Sequence, residues 1–269
     1  MNRREFTLAS SALALAALPP AVRADPGPAL AAAIDGPRRS ATNKARDPYR
    51  HPAQSLAFWG LAPGMTVVEI DPSGGYWTEI LAPYLKATGG QYIGAVGEDP
   101  AAFAAKYAEA AIWGQIAVTT FDGASGPLAP AGSADMVLTA RNFHNWMWTP
   151  GLVEKALADF RGALKVGGLL AVEEHRADPR PMVDQAKDGY VSTAFLTGAV
   201  EKGGFKLAAS AEINANPKDT KDYPFGVWTL PPTLRNHTKT QPTPAGYDAA
   251  KYVAIGESDR MTLRFVKTG

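Results

Sequence analysis

The chain has 269 residues, with 27 basic and 26 acidic side chains and no cysteine. This near balance of charge gives no strong field for nucleic acid or for an anionic membrane surface, and the lack of cysteine excludes disulfides. A chain of this length can bury a substantial core as a single domain.

Residues 1–24 are predicted to be a twin-arginine signal peptide. The pair Arg3-Arg4 precedes an apolar, alanine-rich run at residues 8–18. That run is too short to cross a bilayer, because a spanning helix needs about 20 residues. We therefore expect export in folded form to the periplasm, with a mature chain that begins at Asp25 and stays clear of the membrane. Cleavage removes three arginines and one glutamate and leaves a net charge of −1. An ordinary N-terminal membrane anchor or an unprocessed Sec signal is the alternative.

An N-terminal arm at residues 25–53 is predicted to precede a domain at residues 54–269. The domain opens with a short helix and then a strand at residues 65–70, which is rich in the β-branched residues of a buried parallel strand. The Ser-Gly-Gly sequence at residues 73–75 turns the chain into a helix. Apolar residues recur along that helix at helical spacing: Trp77, Ile80, Leu81, Tyr84 and Leu85. A strand, a glycine loop and a helix N-terminus form the usual nucleotide cradle of an open α/β sheet.

The elements that follow alternate between strands and helices. The predicted strands lie at residues 91–96, 115–121, 136–139, 169–173, 205–213 and 261–267. The predicted helices lie at residues 100–112, 153–164 and 192–202. A long, polar, proline-rich insertion at residues 214–260 comes before the last strand. This alternation predicts right-handed βαβ units and therefore an α/β, doubly wound, mostly parallel Rossmann-like sheet. Ligands are expected at the carboxyl ends of its strands.

Three segments resemble class I S-adenosylmethionine-dependent methyltransferases. They are the strand and loop from Glu69 to Gly75, the fourth strand at 135–138, and the helix-to-strand turn at 164–172. The resemblance implies that the last strand is antiparallel and pairs with strand 205–213. More narrowly, the Glu-Ile-x-Pro-x-Gly-Gly loop and the Arg-Asn-x-His-Asn sequence at 141–145 resemble a group of predicted exported bacterial methyltransferases.

The resemblance implies S-adenosylmethionine as the cofactor and gives roles to the loop. The family has an acidic residue, here Glu69, followed by three glycines at positions that Asp71, Ser73 and Gly75 occupy in this chain; Gly74 is an additional glycine. Glu69 is expected to organise the loop amides, with a buried structural carboxylate as the alternative. Asp71, held extended by the following proline, is expected to contact the ammonium group of the cofactor. Its alternative role is to crowd the carboxylate of the cofactor.

Three further acidic residues are candidates for the adenosine end of the cofactor. Glu98 and Asp99 follow the second strand, where the family uses an acid to accept hydrogen bonds from both ribose hydroxyls. Asp99 precedes a proline and could instead cap a helix. Asp122, after the third strand, would meet the adenine amino group, or could simply form an Asp-Gly turn.

The catalytic candidates lie just past the fourth strand. Arg141, Asn142 and His144 occupy the place where the family faces the transferred methyl group, and His144 could act as a general base. A structural loop histidine is the alternative. The Glu-His-Arg sequence at residues 174–176 ends the fifth strand and could face the same crevice.

No metal site is predicted, because the four histidines show no ligand spacing and cysteine is absent. The histidines are His51, His144, His175 and His237. Three tryptophans could form an aromatic wall for the substrate or could simply pack in the core: Trp146, Trp148 and Trp228.

The resulting hypothesis is methyl transfer from S-adenosylmethionine to an unidentified small molecule, with no nucleic-acid partner. The alternative is a non-catalytic ligand-binding protein that keeps the same fold. A dinucleotide site is disfavoured because Gly-x-Gly-x-x-Gly is missing after the first strand, and a hydrolase because Gly-x-Ser-x-Gly is missing. The sequence does not predict an oligomeric state.

Overall fold

The structure is a computed structural model that describes residues 27–269, so the predicted signal peptide lies outside the described residues. In this part of the chain no helix is both long enough and apolar enough to cross a membrane.

The strands of the described chain form one mixed sheet. In chain order they are β1 Thr66–Ile70, β2 Gln91–Val96, β3 Ile116–Thr120, β4 Ala134–Ala140, β5 Leu164–Ala177, β6 Val191–Ser192, β7 Phe205–Ala211 and β8 Arg260–Lys267. Their spatial order is β3-β2-β1-β4-β5-β8-β7, and the short β6 pairs with the end of β5. Strands β1 to β5 are parallel, whereas β8 is antiparallel to both β5 and β7. The predicted doubly wound sheet with an antiparallel last strand is therefore confirmed.

The helices lie before, between and after these strands. They are α1 Gly27–Ile34, α2 Ala41–Lys44, α3 Asp47–Arg50, α4 Pro52–Trp59, α5 Thr78–Thr88, α6 Pro100–Lys106, α7 Ala110–Trp113, α8 Phe143–Trp146, α9 Leu152–Ala163, α10 Thr193–Lys202 and α11 Ala249–Ile255. A short 3₁₀ helix at Gly226–Thr229 lies within the long insertion.

Each face of the sheet has its own hydrophobic core, because side chains alternate along a strand. On β1, Val67 packs in the core beside α1, α4 and α5, whereas Val68 and Ile70 pack in the core beside α9 and α10. Full burial of each such aliphatic side chain contributes about 1.5–3 kcal/mol. Two covered faces leave the carboxyl edge of the parallel strands as the open side of the fold.

The arm and the insertion meet across this carboxyl edge through one buried carboxylate. Glu257, at the end of the insertion, accepts hydrogen bonds from Arg46 Nε at 2.6 Å, Arg50 Nε at 3.0 Å and Arg260 Nη1 at 2.9 Å. Arg46 and Arg50 belong to the arm, and Arg260 begins β8. This cluster, which we call the Glu257 clamp, joins three segments that are far apart in sequence.

Two predicted elements differ from the observed ones. The helix predicted at residues 100–112 is divided into α6 and α7, because Tyr107 leaves the helix and packs between Phe103 and Trp113 at ring distances of 4.9 and 5.2 Å. The fifth strand was predicted to begin at Leu169, but β5 begins at Leu164, where the backbone is already extended, and continues through two glycines.

Candidate active site

Two adjoining cavities open at the carboxyl edge of the sheet. The first, of about 620 Å³, lies among the loop after β1, the loop after β2 and α6, and we call it the β2 cleft. The second, of about 260 Å³, is bounded by the arm, the loops after β1 and β4, the end of β5 and the insertion, and we call it the arginine cavity. The two cavities share four lining residues: Pro72, Ser73, Asn142 and Asn145. A ligand that fills the β2 cleft would therefore reach the arginine cavity at Ser73 and Asn142.

The loop after β1 does not have the extended backbone that the proline suggested. Asp71 has a φ of 44° and Ser73 a φ of 49°, both in the left-handed region. The expectation of an extended Asp71 is therefore wrong. Its Oδ1 accepts a hydrogen bond from the amide of Gly97 at 2.9 Å, which ties the loop to the end of β2. Burial raises the pKa of Asp71, and this residue still lines the β2 cleft.

The two glycines of this loop have different surroundings. Around Gly74, which lines the arginine cavity, a Cβ would meet no atom within 4 Å. Gly75 has a φ of 83°, and a Cβ there would overlap the hydroxyl of Tyr107. Gly75 therefore allows a close approach between the loop and α6, whereas Gly74 leaves space at the cavity. The expected cofactor role of both glycines stays a prediction.

Glu69 lies beneath the loop and lines neither cavity. Its Oε2 accepts hydrogen bonds from the hydroxyls of Thr78 at 2.9 Å and Tyr92 at 2.7 Å. Burial raises its pKa from the usual 4.5 to about 7. These contacts of Glu69 agree with the alternative role given above, that of a buried structural carboxylate, here one that joins β1, α5 and β2.

The three acids assigned to the adenosine end lie in different places. Glu98 is exposed and lines the β2 cleft, where a ribose would be expected. Asp99 also lines this cleft, but its Oδ1 caps α6 by accepting a hydrogen bond from the Ala102 amide at 2.9 Å. Asp122 lines neither cavity, and it accepts a hydrogen bond from the Ala124 amide at 2.7 Å within its own turn.

Arg141, Asn142 and His144 come together as expected, and all three line the arginine cavity. Asn142 donates a hydrogen bond from Nδ2 to the Ile70 carbonyl at 2.8 Å, which holds the loop after β4 against the end of β1. Arg141 has a φ of 62°, a strained conformation for a residue with a side chain. Strain of this kind is concentrated at functional sites.

Glu174 orients His144. Its Oε1 lies 2.9 Å from His144 Nδ1, and its Oε2 accepts a hydrogen bond from the His144 amide at 3.2 Å. The carboxylate accepts only, so Nδ1 carries the proton and Nε2 is the ring nitrogen that can accept one. The expectation that the end of β5 faces the crevice holds for His175, which lines the arginine cavity. Glu174 is buried behind His144 and lines neither cavity, and Arg176 forms an ion pair with Asp259 at 2.8 Å.

The fold brings together three side chains that could hold a metal. Atoms of His144, Glu174 and His175 lie within 4.8 Å of one another. The spacing of histidines could not reveal this group, because its members come from the ends of two strands. The Glu174 Oε1 already accepts the amide of His175 at 2.8 Å as well as His144 Nδ1. Burial lowers the pKa of His175 well below its usual value, and the positive charge of Arg141 lowers it further. Because positive side chains surround this group, we interpret Glu174 as the residue that holds His144 in place and not as a metal ligand.

The three tryptophans have different surroundings, and one of them lines the arginine cavity. Trp228, in the insertion, lines the arginine cavity, and its ring lies 5.8 Å from those of His144 and Trp148. Trp148 is 45% exposed. Trp146 packs in the core against Phe121 and two other aromatic rings, Phe143 and Phe160.

The sequence interpretation named no residue of the arm as part of the site. Arg46 and Arg50 line the arginine cavity from α3 and the residue before it, and Tyr76 contacts Arg50 with its ring 4.5 Å from the guanidinium. The two arginines four residues apart were a signal for this, since that spacing places both on one face of a helical turn.

No protein-family model and no curated protein matches the sequence. Solved structures do match. A SAM-dependent methyltransferase from Aquifex aeolicus is 18% identical, with a TM-score of 0.51 over 63% of this chain and 87% of its own. The [4+2]-cyclase SpnF is 16% identical, with a TM-score of 0.56 over 86% and 84%. The trans-methyltransferase CalH, in complex with SAH, is 16% identical, with a TM-score of 0.51 over 84% of this chain and 59% of its own. The chain therefore has the fold of class I S-adenosylmethionine-dependent methyltransferases.

Proposed function

We propose that this protein is an S-adenosylmethionine-dependent methyltransferase that acts on a small molecule. The observation that carries the proposal is the pair of cavities that meet at Ser73 and Asn142, at the carboxyl edge of a methyltransferase-type sheet. Ligands of open α/β sheets bind at this edge. A volume of about 620 Å³ suits a cofactor of this size, and about 260 Å³ suits a small acceptor.

The residues of the β2 cleft fit such a cofactor. Glu98 can accept hydrogen bonds from ribose hydroxyls, and Asp71 lies where the amino-acid part would pass. Gly74 follows Ser73 and borders the adjoining arginine cavity, where it leaves open space beside the loop backbone. When bound, S-adenosylmethionine supplies a sulfonium methyl group for in-line transfer, for which alignment is the main requirement.

His144 is the group that can take a proton from the acceptor. Its Nδ1 is held by Glu174, so an approaching hydroxyl or amine would meet Nε2. Glu174 is fully buried, and its negative charge would stabilise the imidazolium that forms. Asn142 and Trp228 line the same cavity and would contact the acceptor.

Ligand binding without methyl transfer is the competing function. The observation in its favour is that Asp71 and Ser73 occupy glycine positions of the family, with left-handed backbones that cost energy in residues other than glycine. One protein with a similar fold, SpnF, is described as a [4+2]-cyclase, so the fold by itself does not establish methyl transfer.

Calorimetry with S-adenosylhomocysteine on residues 25–269 tests the cofactor. We expect saturable binding that Gly74→Val weakens at least tenfold, because the new side chain enters the arginine cavity next to Ser73, where the two cavities meet. Gly126→Val is the matched control, since Gly126 also has open space around it but lines neither cavity. Absence of binding at millimolar ligand would contradict the proposal.

We also propose that the protein is exported by the twin-arginine route with its cofactor already bound, since this route carries folded proteins. Changing Arg3 and Arg4 to lysine should stop the processed form from reaching the periplasm, while the cytoplasmic form keeps its affinity for S-adenosylhomocysteine. Mass spectrometry of ligand that copurifies with the exported wild type tests the loading. Unchanged export of the double variant would contradict the route.

A further inference from the structure

The arginine cavity contains more positive groups than its own carboxylates can neutralise. Arg46, Arg50 and Arg141 line it, and Arg260 lies behind them in the Glu257 clamp. The carboxylate of Glu257 serves three of these four guanidinium groups, and Glu173 pairs with Arg260 in addition. Within the described residues, Arg141 forms no ion pair with any carboxylate.

Several guanidinium nitrogens in this cluster lack hydrogen-bond partners although they are buried. They are Nη2 of Arg46, Nη1 and Nη2 of Arg50, Nε of Arg141 and Nε of Arg260. Arg50 is fully buried, and its guanidinium lies 4.5 Å from the centre of the Tyr76 ring. This cation–π contact stabilises the positive charge but gives the N–H donors no hydrogen-bond acceptor. Arginine remains charged in proteins, so these groups cannot escape the cost by losing a proton. Buried charged donors without partners are rare and indicate a ligand that supplies acceptors.

We propose that Arg46, Arg50 and Arg141 form a subsite for a carboxylate or phosphate group of the methyl acceptor. The proposal rests on the proposed function and gives the substrate class of the same site. The fork of an arginine matches the two oxygens of a carboxylate or phosphate. The β2 cleft, by contrast, is lined by Glu98, Asp99 and Asp71, with Lys106 as its cation.

The carboxylate of the cofactor is a second group that could bind these three arginines. The location of the cluster favours the acceptor, because the three arginines share the arginine cavity with His144, His175 and Trp228 and do not line the β2 cleft. An acceptor anchored by its anionic end would place its other end within the small volume that His144 lines. We therefore infer an acceptor that carries an anion at one end and a hydroxyl or amine at the other.

The experiment uses two small anions as probes, acetate and inorganic phosphate. Each is titrated into residues 25–269 at constant ionic strength, balanced with chloride, and the melting temperature is followed with and without saturating S-adenosylhomocysteine. We expect a saturable rise for at least one anion, which remains when S-adenosylhomocysteine is saturating. The apparent affinity should fall at least tenfold in Arg141→Gln and in Arg46→Gln, and should stay within twofold in Arg235→Gln. Arg235 contacts Trp228 at 5.0 Å but does not line the cavity.

Three outcomes would overturn the proposal. They are the absence of a saturable effect in the wild type, an equal affinity in Arg141→Gln, and competition between the anion and S-adenosylhomocysteine. The last would assign the cluster to the carboxylate of the cofactor. Two variants guard against a folding defect, because Arg141 lies outside the Glu257 clamp and Arg46 belongs to it. Failure of the wild type to bind S-adenosylhomocysteine at all, with anion binding intact, would contradict the proposed function and not the anion subsite.

Discussion

Two carboxylates near the site, Glu69 and Glu174, are almost completely shielded from water but have different partners. Glu69 accepts two hydroxyl donors and has a pKa raised to about 7 by burial. Glu174 accepts two backbone amides and the Nδ1 proton of His144. Glu69 therefore makes the stability of the protein depend on pH, whereas Glu174 fixes the position of the candidate base His144.

We expect Glu69 to make the protein less stable as the pH rises through the range from 4.5 to 7. In that range the folded state keeps a proton that the unfolded chain has lost, so folding is opposed progressively, by about 3 kcal/mol once the pH exceeds 7. In Glu69→Gln this loss should be absent. Urea unfolding of both proteins from pH 4 to pH 8 measures it, and parallel stability curves would show that the carboxylate keeps an ordinary pKa.

Glu174→Gln should lower the free energy of unfolding by about 1–3 kcal/mol, because an amide NH₂ would face an N–H donor inside the protein. Glu212→Gln is the control, since this carboxylate also has a charged partner, Arg176, but its side chain is 67% exposed. Exposed ion pairs contribute about 0–1 kcal/mol. Chemical denaturation compares the two variants. Equal losses would mean that Glu174 does not hold His144 in the way described.

At the scale of elements, the loop between β1 and α5 shows what can and cannot be predicted from sequence. The strand, the loop and the helix follow from short-range patterns, and all three are observed. The separate roles of Gly74 and Gly75 could not be predicted, because they depend on Tyr107, which is distant in sequence. The same residue divides α6 from α7, so one tertiary contact explains both differences.

Gly75→Ala should therefore destabilise the fold, and not only ligand binding. The added methyl would overlap the Tyr107 hydroxyl, and a φ of 83° is unfavourable for alanine, so we expect a loss of about 1–3 kcal/mol. Gly74→Ala is the matched control and should change stability by less than about 0.5 kcal/mol. Thermal unfolding of both variants without ligand measures this. A stable Gly75→Ala would mean that Tyr107 moves aside at little cost.

At the scale of the whole molecule, the site is completed by segments that the sequence places far apart. The parallel sheet and the order of its elements were predictable, because hydrophobic periodicity and turn residues are local signals. The pairing of Arg50 with Glu257 was not, since nothing in the arm specifies its partner in the insertion. The insertion is also a loop of unusual length, and its end supplies the carboxylate of the Glu257 clamp.

Loss of the Glu257 carboxylate should release the arm from the domain. Glu257→Gln leaves Arg46 and Arg50 with one neutral acceptor in a buried position, whereas Arg260 keeps its ion pair with Glu173, so we expect a loss of about 3–5 kcal/mol in the free energy of unfolding. Trypsin should then cleave the arm faster, because local opening exposes its basic residues. Glu154→Gln, at an exposed position on α9, is the control and should match the wild type. If the variant resists trypsin as well as the wild type does, contacts other than the clamp hold the arm in place.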